Sequence, residues 1–229
     1  RLGDQAQDMV RYGSKVYITV TESNTLEAVD ATTGLSSQRS LGSLKPRNIA
    51  THGGKLYISC YNPPCVVRVD SATLTVEDTC LLGNYRPQGK AFVASSYLAS
   101  DIYNYDNKVY VVGLDSFRVA TTVTTVCNPT PVTLVDANTV AVGCIGNYHD
   151  IAAATVLIDA TSLATTTAAH GSTRMAAWNG RLYCYDAPYG GTPSYAIIAT
   201  DGTVADFPFQ PTIDGNPYTL AIDPASGDI

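Results

Sequence analysis

The sequence predicts an all-β chain, a β-propeller built of four-stranded antiparallel blades, and three observations carry that prediction. A segment recurs along the chain with a period near 40–45 residues. Each copy holds short stretches that alternate apolar and polar residues, divided by Gly, Asn and Asp turns. Thr, Val and Tyr are abundant, which favours strands over helices.

The repeat has two markers. "KVYITV" at Lys15, "KLYISC" at Lys55 and "RLYCY" at Arg181 are one element, and "SSYLAS" at Ser95 and "NTVAVG" at Asn138 fill its other two slots. Behind each comes an aspartate in a turn: Asp30, Asp70, Asp115, Asp159 and Asp201, spaced 40, 45, 44 and 42 residues apart. In the second unit "RNIATH" reads as strand a, "GGK" as a tight turn and "LYISC" as strand b. "VVRVD" then reads as strand c and "TVEDTCLL" as strand d. The aspartate suits the c–d corner because its carboxylate caps the backbone just ahead of it. Four strands every forty-odd residues describe propeller blades. Aligning the units places Tyr17, Tyr57, Tyr97, Val140 and Tyr183 at one equivalent position of strand b.

The two ends fall inside blades. "RLGD" at Arg1 reads as a strand-d tail, and "YTLAIDPASGDI" as a strand a, a turn and the start of a strand b. Residues 1–229 therefore read as a single propeller domain truncated at both ends, with about five complete blades from a larger ring.

Composition narrows the partners. The 229 residues are 45% apolar and only 15% charged, with net charge −6 and no run of Lys or Arg, which argues against nucleic acid or an anionic membrane. No apolar stretch is long enough for a transmembrane helix. The six cysteines form no C-x-x-C pair, against zinc or a redox dithiol of that type. Cys60 and Cys65 flank "YNPP" and could face each other across a hairpin and bond; the alternative is six small buried strand residues.

In a propeller the a–b and c–d turns share one face, and the b–c and d–a loops share the other. The first set is terse: "YGSK", "HGGK" and "WNGR", then "DATTG", "DSATL" and "TDGT". The second set is long and rich in Tyr, Asn and Pro, with b–c loops such as "SDIYNYDN", "IGNYHDIAA" and "DAPYGGTPS". Turn formation does not require that material. Tyrosine offers rigid amphipathic area at low entropy cost, so the long-loop face is the expected binding surface. The candidate ligand-binding residues are Tyr61, Arg86, Tyr105, Tyr148, Tyr189 and Tyr218, with Arg47 and Arg174 nearer the channel.

From "GDQAQDMVRYGSKVYITVTESNTLEAVDATTG", "KPRNIATHGGKLYIS", "YNYDNKVYVV" and "GNYHDI", the chain resembles YVTN-type β-propellers, specifically the Bacteroidetes surface-lipoprotein branch. The resemblance implies a seven-bladed ring exported to the cell surface as an outer-membrane lipoprotein. It also implies possible capture of cobalamin or a related corrinoid for an outer-membrane transporter. The six cysteines and the abbreviated frame depart from that family.

Catalysis is not expected. Propeller lactonases hold a metal with carboxylates around the channel, whereas here Arg47, Gln88, Lys90, Arg174 and Tyr218 stand there with Asp214 as the one nearby carboxylate. Quinone-cofactor propellers stack their cofactor on tryptophan, and Trp178 is the single tryptophan, beside an a–b turn. No cofactor and no resident metal are expected. His149, in "GNYHDI", is either a ligand for a corrinoid cobalt or a solvated loop histidine. An adhesin or scaffold gripping a protein or glycan on the same face is the competing class.

Overall fold

The computed structural model describes residues 3–83, 87–93, 96–101, 107–188, 191–208, 220–223 and 225–227. Arg86, Tyr105, Tyr189 and Tyr218 lie outside the described residues.

Alternation along the repeat resolves into five four-stranded antiparallel sheets. The first holds β1 (Ala6–Tyr12), β2 (Lys15–Val20), β3 (Thr25–Asp30) and β4 (Ser36–Ser40). The second holds β5 (Pro46–His52), β6 (Lys55–Tyr61), β7 (Pro64–Asp70) and β8 (Val76–Leu81). The third holds β9 (Pro87–Val93), β10 (Ser96–Asp101), β11 (Lys108–Gly113) and β12 (Arg118–Thr124). The fourth holds β13 (Pro129–Leu134), β14 (Thr139–Cys144), β15 (Ala154–Asp159) and β16 (Thr165–Ala168). The fifth holds β17 (Arg174–Trp178), β18 (Arg181–Asp186), β19 (Ser194–Ala199) and β20 (Val204–Asp206). Strands pair in chain order within every sheet, and the first strand of each sheet lies beside the first strand of the next. This is a β-propeller. No helix among the described residues is long and apolar enough to cross a membrane.

Burial follows radial position. Central strands such as β6 and β14 are buried almost throughout, because a blade is covered on both faces. The outermost β4, "SSQRS", is exposed along its whole length. Its serines, Gln38 and Arg39 leave no apolar area to hide.

The core is divided by seam. Tyr17, Leu26 and Ala28 of the first sheet pack on Ile49, Leu56 and Ile58 of the second. Tyr57 and Val66 of the second meet Tyr110, Val112 and Phe117 of the third blade. Val109 and Val111 meet Val140, Val142 and Val156 of the fourth. Ala141 and Leu157 meet Leu182, Cys184 and Ile198 of the fifth. Polar clips cross the first seam as well: the Tyr17 hydroxyl donates to the Ser71 carbonyl at 2.8 Å, and the Ile49 N–H donates to Asp8 Oδ2 at 2.9 Å.

The c–d corners of blades one, two and four are one device. Asp30, Asp70 and Asp159 each accept, through Oδ1, the N–H groups two and three residues ahead. The residue four ahead takes a left-handed backbone: Gly34 at φ 71°, Leu74 at 57° and Leu163 at 60°. In blades three and five the strand pairing puts Gly113 and Ala199 where Asp30 stands, opposite the first residue of strand b. Asp115 and Asp201 sit two residues later, inside the turn.

That offset corrects the strand-b alignment. Counting from the first paired residue, the third position holds Tyr17, Tyr57, Leu98, Ala141 and Tyr183. Tyr97 and Val140 are each one place early. A one-residue slip reverses the face, and Val140 accordingly packs toward the third sheet while Ala141 packs toward the fifth. Much of both end segments lies outside the described residues, and within them no strand forms before Ala6 or from Leu220 onward. Gly3 instead donates its N–H to Glu27, and Gly227 lies against Trp178.

The corner carboxylates predict an acid limb of stability. Backbone N–H groups of Thr33 and Ser162 hold Asp30 and Asp159 below the ordinary carboxyl value of 3.8, and the Lys55 ammonium followed by Thr73 does the same for Asp70. A depressed folded value means that the stabilisation is complete above the unfolded value and is lost as pH falls through the folded one. The urea midpoint is therefore expected to fall as pH drops below about 4. Asp159→Asn, which keeps an acceptor oxygen but does not titrate, should flatten that fall. A midpoint that stays level over the same range would show that the corners contribute nothing.

Candidate functional site

Hydrogen bonds confirm how the loops divide. At one end the Leu41 N–H reaches the Asn24 carbonyl at 2.8 Å, and the Tyr61 N–H reaches Leu44 at 3.0 Å, joining b–c to d–a loops. At the other end Ala31 bonds to Ser14 and Ala160 to Asn138, both at 2.7 Å, joining c–d to a–b turns.

Inner strands enter the long-loop end through bulges. Register shifts fall between Ala6 and Asp8, Pro46 and Ile49, and Pro129 and Val132. Proline opens β5, β9 and β13, at the strand starts where its missing N–H is tolerated. A bulge re-aims the side chains that it carries.

Arg47 occupies the β5 bulge. Its guanidinium lies over the Tyr61 ring, with Cζ 4.7 Å from the centroid. Arg47 Nε is buried and has no hydrogen-bond partner among the described residues. Tyr61 ends β6 and pairs with Pro64 across a two-residue turn. Two of the predicted site residues are thus brought together, as a stacked cation with donor capacity to spare.

Arg174 opens β17 opposite Tyr185, and its Nη1 donates to the Thr173 carbonyl at 2.7 Å. Tyr185 is fully buried, with its ring 5.0 Å from that of Tyr195. Arg174 therefore belongs to a separate station on the fourth seam, and that station contains groups absent from the sequence reading. His170 Nε2 lies 3.1 Å from Ser194 Oγ, while its Nδ1 is buried without a hydrogen-bond partner among the described residues. Asp186, opposite Ser194 across β18 and β19, is buried. Burial pushes the Asp186 carboxyl up and the His170 imidazole down, each partly offset by the charge of the other. A Cβ on Gly171 would stand 2.3 Å from Asp186 Oδ2, so this approach requires glycine. The available signal was the pairing of "HGS" in a short d–a loop with "YDAP" at the head of the next b–c loop.

Tyr148 stands apart. It is 63% exposed, at φ 60°, in a loop held by Asn147, whose Oδ1 accepts from the N–H groups of His149, Asp150 and Ile151. The foot of this loop at Ala153 touches Gly171, next to the His170–Asp186 station. His149 is 87% exposed with Nδ1 3.4 Å from Asp150 Oδ1, in the manner of a solvated loop histidine. No group of three metal-ligating side chains occurs among the described residues.

A cleft of about 420 Å³ opens on the terse end, lined by His52, Lys55, Tyr57, Arg68, Glu77 and Asp115. Its cations are already engaged: Lys55 with Asp70 and Glu77, and Arg68 with Glu77 and Asp78.

No protein-family model matches the chain, and no curated protein matches it by sequence. Solved structures do match it in shape. Hydrazine synthase of Kuenenia stuttgartiensis aligns with a TM-score of 0.77 at 19% identity, over 96% of this chain and 71% of that one. The computationally designed Ika8 protein aligns with a TM-score of 0.69 at 10% identity, over 88% of this chain. The chain spans 60% of the designed protein's length. At these identities the likeness shows the propeller fold alone.

Proposed function

We propose that this propeller is a non-catalytic ligand-binding protein of the bacterial cell surface, and that its ligand sits on the long-loop face. The observation that carries the reading is Arg47, held over the Tyr61 ring with an Nε that is buried and has no hydrogen-bond partner among the described residues. A guanidinium so placed can donate to a carbonyl or phosphate oxygen, with the tyrosine ring as an apolar wall. Cobalamin or a related corrinoid, bearing amides and a phosphate, fits those demands and is the first ligand to test, with delivery to an outer-membrane transporter as its purpose. A second reading, adhesion to a protein or glycan, is favoured by the exposed Tyr148 on its rigid loop.

Calorimetric titration against cobalamin, cobinamide and a glycan panel tests both. Arg47→Ala and Tyr61→Ala are each expected to weaken binding about thirtyfold, as loss of an anchor worth about 2 kcal/mol implies. Lys15→Ala, on the terse face, should leave affinity unchanged. Wild-type protein that ignores both corrinoids but binds a glycan would transfer the function to the second reading. Equal losses from the two faces would remove the site assignment itself.

A further inference from the structure

Cys60 and Cys65 are direct register partners across β6 and β7, one pair in from the Tyr61–Pro64 closing pair. Both are free thiols and both are fully buried. Opposed residues of an antiparallel ladder have Cα atoms about 4.5–5.5 Å apart, inside the range that a disulfide spans without moving backbone. The two side chains lie in the same apolar cluster, on the first seam. Cys80, on the adjoining β8, belongs to the cluster on the opposite side of the sheet. Of the remaining cysteines, Cys144 pairs with Pro129 and Ala154, and Cys184 with Met175 and Ala196, so neither faces another thiol across its ladder.

We propose that Cys60 and Cys65 are an oxidisable pair that closes into a cross-strand disulfide, pinning the hairpin that presents Tyr61. The oxidant belongs to the class of small or protein disulfides. In the first step the Cys65 sulfur attacks the oxidant, forms a mixed disulfide and releases one thiol, which takes the Cys65 proton. In the second, the Cys60 sulfur attacks the Cys65 sulfur and releases the other thiol with the Cys60 proton. Two protein thiols thus lose two protons and two electrons, and one oxidant disulfide becomes two thiols. The thiol hydrogen bond from Cys60 lowers the Cys65 value, whereas burial raises that of Cys60, which makes Cys65 the leading nucleophile. Access comes from fraying at the hairpin tip, or from oxidation during folding before the seam closes.

The test needs no ligand. The chain is held in oxidised glutathione, both native and while refolding from urea, then quenched in acid, denatured, alkylated and mapped by mass spectrometry. The expected result is a Cys60–Cys65 crosslink two hydrogens lighter than the dithiol, with the other four cysteines alkylated. Cys60→Ser, which removes the resolving thiol, should leave Cys65 as a stable glutathione adduct. Retention of both thiols after the native and refolding treatments would overturn the proposal. A crosslink from either cysteine to Cys80 would overturn the pairing.

Discussion

Replacing Phe117 by alanine is expected to lower the free energy of unfolding by about 3–5 kcal/mol, as truncation of a fully buried aromatic does. Phe117 belongs to the c–d turn of the third blade, yet it is wholly buried in the seam shared with the second. Its ring lies 6.0 Å from that of Tyr57, and the Arg68 guanidinium sits 4.9 Å above it. Arg68 also donates to the Leu114 carbonyl at 3.1 Å, so one side chain of the second blade clamps the turn that delivers the ring. Alanine would leave a cavity lined by Val66, Val112 and Tyr110 that a rigid sheet pair cannot close. Phe117→Leu, which keeps most of the volume, should lose less than half as much. Urea unfolding of the two variants decides the matter, and a loss below about 1 kcal/mol for alanine would place the ring outside the supporting core.

Gly143→Ala is expected to cost about 3 kcal/mol, at the upper end of overpacking effects. A Cβ at that position would stand only 2.0 Å from the Ser172 carbonyl oxygen and 2.8 Å from Pro131. The first of these is backbone and cannot rotate aside. Moving it would break the Thr155 hydroxyl's bond to the His170 carbonyl, 2.8 Å, and its contact with Ser172 Oγ, 2.7 Å. Gly34→Ala makes the comparison fair, because Gly34 has a positive φ but open space where its Cβ would go. Only backbone strain of about 1–2 kcal/mol is expected there. Similar losses at the two glycines would mean that close approach contributes nothing at Gly143.

The parts of this fold written locally were legible. An aspartate that caps its own turn, a Gly pair between two alternating runs and a proline at a strand start each act within a few residues. They therefore survive as patterns in "AVDATTG", "THGGK" and "LKPRN". Register was less legible, because Asp115 and Asp201 look like Asp30 but lie inside their turns. The site was legible in kind rather than in detail. Arg47 and Tyr61 were chosen as separate candidates, and their stacking depends on a bulge that sequence alone does not display. His170, Asp186 and Ser194 come from different loops and strands, and no short motif links them. Burial makes that cluster chemically distinct, and burial is a property of the assembled seam.

The division of the apolar core into seam-sized clusters has a consequence for communication. Phe117 packs between the second and third sheets, whereas Gly143 faces Ser172 beside the fourth, so damage at the two, which share no partner, should add. The same division separates Arg47–Tyr61 from His170–Asp186. A ligand long enough to touch both would couple them directly, which turns blade spacing into a ruler for what the face can hold.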